Sequence, residues 1–235
     1  MSKYILIVDD DVSIAEILEF NLKSEGYEVE TAVSAEEALE KDLNNFDLIL
    51  LDVMMGGMSG FKMAEKIRDE GVLTPIIFLT AKDTENDMLT GFSVGGDDYI
   101  AKPFSIKEVS ARVKAVLKRT EKETKAEGEE NKLIRDNFVF DFNMKELTID
   151  EKEVPLTKTE FELLTLLARH PEKMLSRKNI IDKLWTDTPY VTERTVDVHI
   201  TRIRKKLGIY ASVISNKIGY GYRFDVEELH NILNQ

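Results

Sequence analysis

Five short apolar runs, each followed by a stretch with helix-like spacing of apolar residues, fill the first 120 residues of this 235-residue chain. Most of these runs are apolar at nearly every position, which is typical of strands covered on both faces in a parallel sheet. The strands are expected at 4–8, 28–32, 47–51, 75–79 and 98–101, and the helices at 12–25, 35–43, 59–70, 84–93 and 105–119. Five such units predict a doubly wound, five-stranded parallel α/β sheet of the flavodoxin-like kind.

The second half has a different pattern. Period-two alternation predicts an antiparallel meander at 137–142, 146–150 and 152–156. Apolar residues at helical spacing and a Gly-containing turn then predict helices at 157–169, 176–184 and 192–207, a hairpin at 213–224 and a short helix within 226–235. Between the halves, residues 121–131 are densely charged without apolar periodicity, which is typical of a linker. We therefore expect one domain at 1–120 and another at 132–235.

Charge is distributed unevenly along the chain. The net charge is −12 overall, but residues 1–120 carry 13 basic and 23 acidic side chains, whereas residues 132–235 carry 17 and 16. The overall sign argues against nucleic-acid binding, yet an electrostatic footprint is local and the second domain is not acidic. The absence of cysteine rules out disulfides and thiolate metal sites. No signal peptide or membrane span is recognisable, so we expect a cytoplasmic protein with no membrane partner.

Three carboxylates follow the ends of predicted strands. Asp9 and Asp10 end the first strand, and Asp52 ends the third, directly after the apolar residues 48–51. In doubly wound sheets the ligand crevice lies beyond the carboxyl ends of the strands, so these acids are expected to converge. Like charges at close range raise one another's pKa values, and a divalent cation such as Mg²⁺ relieves the repulsion. The alternative is that such acids only cap helices, a role that fits Asp11.

Two further strand ends complete this set. Thr80 ends the fourth strand and Lys102 follows the fifth. A carboxylate, a cation site, a hydroxyl and an ammonium are the groups needed to receive a phosphoryl group, with Asp52 as nucleophile. We also hypothesise a cis peptide before Pro103 that would orient Lys102.

The motifs "VDD", "LLDVMM", "LTA" and "DDYIAKPF" resemble the receiver domain of bacterial two-component response regulators over about residues 3–120. The resemblance implies that a sensor histidine kinase phosphorylates Asp52. It assigns Mg²⁺ to Asp9, Asp10, Asp52 and the backbone carbonyl of Met54. It assigns phosphate contact and switching to Thr80, Tyr99 and Lys102.

Activation in this family implies a homodimer through the 84–119 face, and the matching residues are Asp97, Asp98, Glu108, Arg112 and Arg119. Two departures stand out. Gly56 occupies the place of a proline, which loosens the turn. Met88 occupies the place of a basic residue, which would leave Glu108 unpaired.

A basic helix is predicted at 192–207. Val196, Ile200, Ile203 and Leu207 form one apolar stripe, and much of the remaining surface is basic. Such a helix suits a DNA major groove, although an ordinary solvated face is the alternative.

Residues 132–226 resemble the α+β winged-helix effector of the OmpR/PhoB subfamily, on the stretches 154–185 and 192–207 and on "NKIGYGYRF". The resemblance makes 192–207 the recognition helix, 213–224 the wing, and 186–191 a loop that contacts RNA polymerase in some relatives. Ile218 replaces the usual wing arginine, so we expect backbone contact there. The implied contacts to double-stranded promoter DNA are Arg194, Thr195, Asp197, His199, Arg202, Arg204, Lys205, Lys217 and Arg223.

The whole pattern predicts a transcription factor controlled by phosphorylation and no enzyme activity. Two alternatives stay open. One is a Mg²⁺-dependent phosphohydrolase, against which Met54 stands where such enzymes carry a second acid. The other is a DNA-binding or scaffold protein that needs no phosphorylation.

Overall fold

The computed structural model describes residues 2–81, 85–118, 131–171, 173–185 and 191–234. The chain divides into two compact units, residues 1–120 and 121–235. Of the predicted linker 121–131, all but Asn131 lies outside the described residues.

The first unit has the predicted strand–helix alternation. Its strands are β1 Tyr4–Val8, β2 Glu28–Ala32, β3 Leu48–Asp52, β4 Ile76–Thr80 and β5 Asp98–Ala101. Its helices are α1 Val12–Ser24, α2 Ala35–Leu39, α3 Gly60–Asp69, α4 Glu85–Ser93 and α5 Ile106–Lys118. All strand pairs are parallel, in the order β2-β1-β3-β4-β5. The predicted α/β sheet is therefore confirmed.

The central strands are buried because helices cover both faces of the sheet. Every residue of β3 and β4 is buried, as their continuous apolar runs predict. Both strands lie one residue later than expected, since Asp52 and Thr80 still pair with Leu79 and Ala101. Helix α2 is shorter than expected because Asp42 caps a separate 3₁₀ turn, Leu43–Asn45.

Helix α1 begins at a side-chain cap. The Asp11 carboxylate accepts hydrogen bonds from the backbone N–H groups of Ser13 and Ile14, at 3.0 and 3.2 Å. Asp11 therefore has the capping role expected of it, while Asp9 and Asp10 precede the helix.

The second unit is α+β. One antiparallel sheet consists of β6 Lys132–Arg135, β7 Phe138–Asp141, β8 Glu146–Ile149 and β9 Lys152–Glu153. A separate hairpin consists of β10 Ile214–Lys217 and β11 Gly221–Phe224. The helices of this unit are α6 Lys158–Ala168, α7 Arg177–Leu184, α8 Glu193–Leu207 and α9 Val226–Leu233. Alternation in the sequence predicted three strands of this sheet, and the resemblance, whose effector domain opens with a four-stranded meander, accounts for β6. The 3₁₀ segment Gly208–Val213 was unexpected. The winged-helix architecture is confirmed.

Helix α3 starts in close contact with the end of β3. A Cβ on Gly60 would lie 2.1 Å from the backbone oxygen of Asp52, which is far inside van der Waals contact. By contrast, a Cβ on Gly56 would meet nothing within 4 Å. The absence of a side chain at position 60 therefore lets α3 pack directly against the strand that carries Asp52.

We predict that Gly60→Ala destabilises the first unit by about 2 kcal/mol, because the added methyl group forces backbone apart. Gly56→Ala is the matched control and should stay within about 0.5 kcal/mol of the wild type. Urea unfolding followed by circular dichroism measures both, while fluorescence of Trp185 follows the second unit separately. Equal stability of the two variants would contradict the proposed contact.

Candidate functional site

The register of the parallel sheet brings the predicted acids to one edge. Val8 pairs with Leu51, so the residues that follow them, Asp9 and Asp52, leave neighbouring strands at the same level. Carboxylate oxygens of Asp9, Asp10 and Asp52 all lie within 4.8 Å of one another. This cluster can hold a hard divalent cation, because carboxylate oxygens are the ligands such ions prefer.

The three acids differ in their exposure to solvent. Asp9 and Asp52 are 0% and 3% exposed, whereas Asp10 is exposed. Asp9 Oδ1 accepts the Asp11 N–H at 3.0 Å, and Asp10 Oδ2 accepts the Gly56 N–H at 3.0 Å. Among the described residues, no hydrogen-bond donor meets the buried Oδ1 of Asp52. An orphaned carboxylate oxygen beside two further acids fits a bound cation.

Lys102 supplies the positive charge of the site. Its Nζ lies 2.9 Å from Asp9 Oδ2 and 3.3 Å from Asp52 Oδ2. The Lys102–Pro103 peptide bond is cis, as hypothesised from the sequence.

Burial raises the pKa of the Asp52 carboxyl group above its ordinary value. The Lys102 ammonium lowers this pKa and the neighbouring Asp9 charge raises it, and the net direction is upward. For Lys102, burial acts to lower the pKa, but hydrogen bonding to Asp9 and attraction to both acids outweigh it and raise the pKa. Lys102 is therefore an ammonium at neutral pH, placed to attract an incoming anion.

The two predicted switch residues point inward. Thr80 and Tyr99 are both fully buried, and the Tyr99 ring lies 6.4 Å from that of Phe78 between centroids. Gly91 makes room for the two rings, since its Cβ would lie 3.2 Å from each. The Met54 side chain is 56% exposed, and the ligand role of its carbonyl stays a prediction.

The residues predicted for a dimer face lie differently from expectation. Asp97, Asp98 and Arg112 are buried. Asp97 accepts the Ile76 N–H at 3.0 Å, so it links the residue before β5 to the start of β4 instead of facing outward. Arg119 lies outside the described residues.

Arg112 makes its ion pairs within the chain. Its Nη1 lies 3.0 Å from Asp98 Oδ1, and its Nη2 lies 3.1 Å from Glu108 Oε1. The expectation that Glu108 is unpaired is therefore wrong, because the next turn of α5 supplies its partner.

An apolar groove of about 580 Å³ opens beside Lys102. It lies between α1 and the start of α5 and is lined by Ile14, Ile17, Lys102, Pro103, Phe104 and Ile106. Ile17 and Phe20 are large exposed apolar side chains on α1, which makes this flank of the acid cluster suited to contact with another protein.

The predicted recognition helix, α8, has two opposite stripes. Its apolar stripe, Val196, Ile200, Ile203 and Leu207, is buried as predicted. The opposite stripe consists of Arg194, Val198, Thr201 and Lys205, which are exposed or partly exposed. These positions follow i, i+4, i+7 and i+11 spacing, so they form one continuous face that can enter a groove.

Burial contradicts two of the predicted DNA contacts. Thr195 is 1% exposed and forms the capping box of α8 with Thr192. His199 is 0% exposed and packs against Trp185, with ring centroids 5.3 Å apart. Both side chains belong to the interior of the domain. They are four residues apart, so they lie on the same flank of the apolar stripe.

Three basic residues of α8 have partners inside the domain. Arg202 Nη2 lies 2.8 Å from Oε1 of the fully buried Glu160, and Lys206 Nζ lies 2.7 Å from Oε2 of the same residue. Arg204 Nη2 donates to the Ile214 carbonyl at 2.6 Å. The positive charge of the helix thus serves partly to fasten it to α6 and β10.

The wing tip is partly apolar. Ile218 is 92% exposed, and Lys217 Nζ lies 4.6 Å from the ring centroid of Tyr220. Arg223, also predicted to contact DNA, has its Nη2 2.6 Å from Asp225 Oδ2. Lys217 is therefore the better placed of the two cations for a phosphate.

Sequence reasoning missed Arg177 and Tyr222, which both hydrogen-bond to Asp197 on α8. The tyrosine lies in the quoted wing motif, but nothing in the pattern pairs it with an acid.

Residues 186–190 of the loop predicted to touch RNA polymerase lie outside the described residues. No helix in the described part of the chain is long and apolar enough to cross a membrane.

Each of the two units of the chain matches a known protein family. The family model "Response regulator receiver domain" matches residues 5–114. The model "Transcriptional regulatory protein, C terminal" matches residues 151–224. Together the two matches span the acid cluster, the recognition helix and the wing.

Two curated relatives match this chain over nearly its whole length. The chain is 40% identical to the transcriptional regulatory protein ResD of Bacillus subtilis, over 94% of this chain and 95% of that protein. It is 41% identical to the transcriptional regulatory protein SrrA of Staphylococcus aureus, over 97% of each. The crystal structure of DrrB, an OmpR/PhoB homologue from Thermotoga maritima, is 30% identical with a TM-score of 0.51, covering 96% of this chain and 100% of that one.

We predict opposite pKa changes of Asp52 from two substitutions in the cluster. Lys102→Met removes the ammonium that lowers this pKa and should raise the pKa of Asp52 further, whereas Asp9→Asn removes a neighbouring negative charge and should lower it. Titration of the Asp52 carboxyl carbon by NMR, without divalent ions, measures both. Shifts in the same direction would contradict the electrostatic account.

Proposed function

Because this chain belongs to the OmpR/PhoB family of response regulators, we propose that a sensor histidine kinase phosphorylates Asp52 and that the second unit binds promoter DNA to regulate transcription. The main observation behind this proposal is that carboxylate oxygens of Asp9, Asp10 and Asp52 lie within 4.8 Å of one another. The Lys102 ammonium contacts Asp9 and Asp52. In this role the protein works in the cytoplasm.

In the proposed reaction an Asp52 carboxylate oxygen attacks the phosphorus of a kinase phosphohistidine. The P–O bond to Asp52 forms as the P–N bond breaks, and the imidazole leaves. Lys102, 3.3 Å from Asp52 Oδ2, offsets negative charge on the transferred phosphoryl oxygens. Asp9, Asp10 and Asp52 would hold Mg²⁺, which supplies further positive charge to those oxygens. The apolar groove beside Lys102 is the surface on which we place the kinase.

We propose a phosphoacceptor and not a hydrolase. Phosphoryl transfer needs a nucleophile and charge neutralisation, both of which the cluster has. Rapid turnover also needs an acid or base for water, and the side chain two residues after the nucleophile is Met54, which cannot transfer a proton.

Activation is proposed to act through Thr80 and Tyr99, both buried in the described state. A phosphoryl group on Asp52 would draw the Thr80 hydroxyl toward it and free space for the Tyr99 ring. We place the resulting dimer contact on α4, β5 and α5. Two tethered effector domains then bind a paired site more tightly than either domain alone. In the described state the ion pairs of Arg112 are internal, so dimerisation through them would require their exchange between chains.

DNA binding is proposed to use the exposed stripe of α8. Arg194 and Lys205 lie near its two ends and suit phosphate or base-edge contacts, with Val198 and Thr201 between them. Lys217 on the wing adds a contact to the DNA backbone.

We predict that the full chain gains the mass of one phosphoryl group when incubated with Mg²⁺ and a small phosphodonor, and that Asp52→Asn does not. Asp42→Asn is the matched control, since it changes a helix cap where asparagine serves equally well, and it should behave as wild type. Mass spectrometry of the intact protein measures the gain. An unmodified wild type would favour the phosphorylation-independent scaffold, and steady phosphate release from a small ester would favour the hydrolase.

We predict that Arg194→Ala and Lys205→Ala weaken binding to a duplex selected from a random-sequence pool by the wild-type chain. Each substitution that removes a phosphate contact should reduce the slope of log K against log salt concentration by about one. Lys152→Ala on β9 is the control and should leave the slope unchanged. Fluorescence anisotropy over a series of salt concentrations measures all three, and an unchanged slope in both helix variants would refute this interface.

A further inference from the structure

Three side chains from three separate elements meet at one carboxylate oxygen of the effector domain. Asp197 Oδ1 on α8 accepts the Nε–H of Arg177, at the start of α7, at 2.6 Å. The same oxygen accepts the hydroxyl of Tyr222, on β11, at 2.6 Å. Arg177 Nη2 donates to the Tyr222 hydroxyl oxygen at 3.1 Å, which closes the triangle. Each pair of side chains in this group is joined by a hydrogen bond, so each side chain is held by the other two.

Aromatic stacking reinforces the triangle. The Arg177 guanidinium carbon lies 4.8 Å from the centroid of the Tyr222 ring, and that of Arg204 lies 5.8 Å from it. Cations from both α7 and α8 therefore contact this ring and limit its freedom to rotate. Burial and the hydrogen bond to Asp197 both raise the pKa of Tyr222, so the hydroxyl keeps its proton at neutral pH.

The backbone brings the wing strand to this point. Leu175 and Tyr222 exchange two backbone hydrogen bonds, at 2.8 and 2.9 Å. Gly221 has a φ of +124°, and a Cβ there would lie 1.9 Å from the Leu175 oxygen. The close approach therefore requires glycine at this position. It sets the Tyr222 side chain beside α7 and α8.

We propose that Asp197, Arg177 and Tyr222, together the wing anchor, hold the wing hairpin in a fixed position against the recognition helix, so that both elements contact DNA at a set spacing. Asp197 is then a positioning residue, in place of the DNA contact expected from the sequence. Its ionic bond with Arg177 also offsets a negative charge that would otherwise repel phosphates. This inference rests on the proposed DNA-binding function.

The test uses the full chain and the duplex selected by the wild type. Tyr222→Phe removes the hydroxyl alone and keeps the stacked ring, and Tyr220→Phe makes the same change on the exposed wing turn, where the side chain is 62% exposed. We expect Tyr222→Phe to raise the Kd about tenfold, since it removes a hydrogen bond to a charged group, and Tyr220→Phe to stay within about twofold. Hydroxyl-radical footprinting at saturating protein should show that Tyr222→Phe loses protection on the wing side while protection by α8 is retained.

The variant Asp197→Asn distinguishes a role of Asp197 in positioning the wing from a role in repelling DNA phosphates. If Asp197 only repelled phosphates, its neutralisation would tighten binding to every duplex; the wing anchor predicts weaker binding to the selected duplex and the same loss of wing protection. The double variant Tyr222→Phe with Asp197→Asn should lose little more than either single variant, because both remove the same contact.

Uniform loss of protection, additive losses in the double variant, or a footprint identical to the wild type would each overturn the wing anchor. Arg177→Lys, which keeps the charge but not the planar guanidinium, replaces Tyr222→Phe if that variant fails to fold. Failure of the proposed function itself has a different signature, since the wild-type chain would then enrich no duplex from the random pool.

Discussion

The contact of one ammonium with two buried carboxylates is the interaction on which the first unit depends. Asp9 and Asp52 end neighbouring parallel strands, and each would be an unfavourable buried charge by itself. Lys102 reaches both, at 2.9 and 3.3 Å, from the end of a third strand. The sheet thus assembles the proposed phosphoacceptor site from residues more than forty positions apart. Burial raises the pKa of Asp52, and the single ammonium compensates for this burial and for the Asp9 charge only in part.

That incomplete compensation connects stability with chemistry. A cluster with two acids, a third exposed acid and one ammonium retains excess negative charge, which favours a divalent cation over a further side-chain partner. The orphaned Oδ1 of Asp52 lies in this cluster. This excess negative charge also fits the proposed phosphoryl transfer, because the added charge of a phosphoryl group needs more than Lys102 to neutralise it.

The sequence predicted the sheet, the convergent acids and the apolar stripe of α8, because each follows from a period or from the rule that parallel strands share one carboxyl edge. It could not predict which polar side chains are buried. Thr195 and His199 differ from true surface positions only by their angle around α8, and Asp97 is buried because a backbone N–H from β4 needs an acceptor there. Partner choice across long sequence distances, such as Asp197 with Tyr222, has no local signal at all.

Basic residues on a recognition helix are therefore a poor measure of its capacity for DNA. Arg202 and Lys206 neutralise the buried Glu160, and Arg204 binds a backbone carbonyl of the wing. A helix that must be held at a defined angle needs such internal bonds, and each one removes a cation from the interface. In the proposed DNA complex, specific recognition then depends on the few residues of the exposed stripe and on the rigidity with which the remaining charges hold that stripe in place.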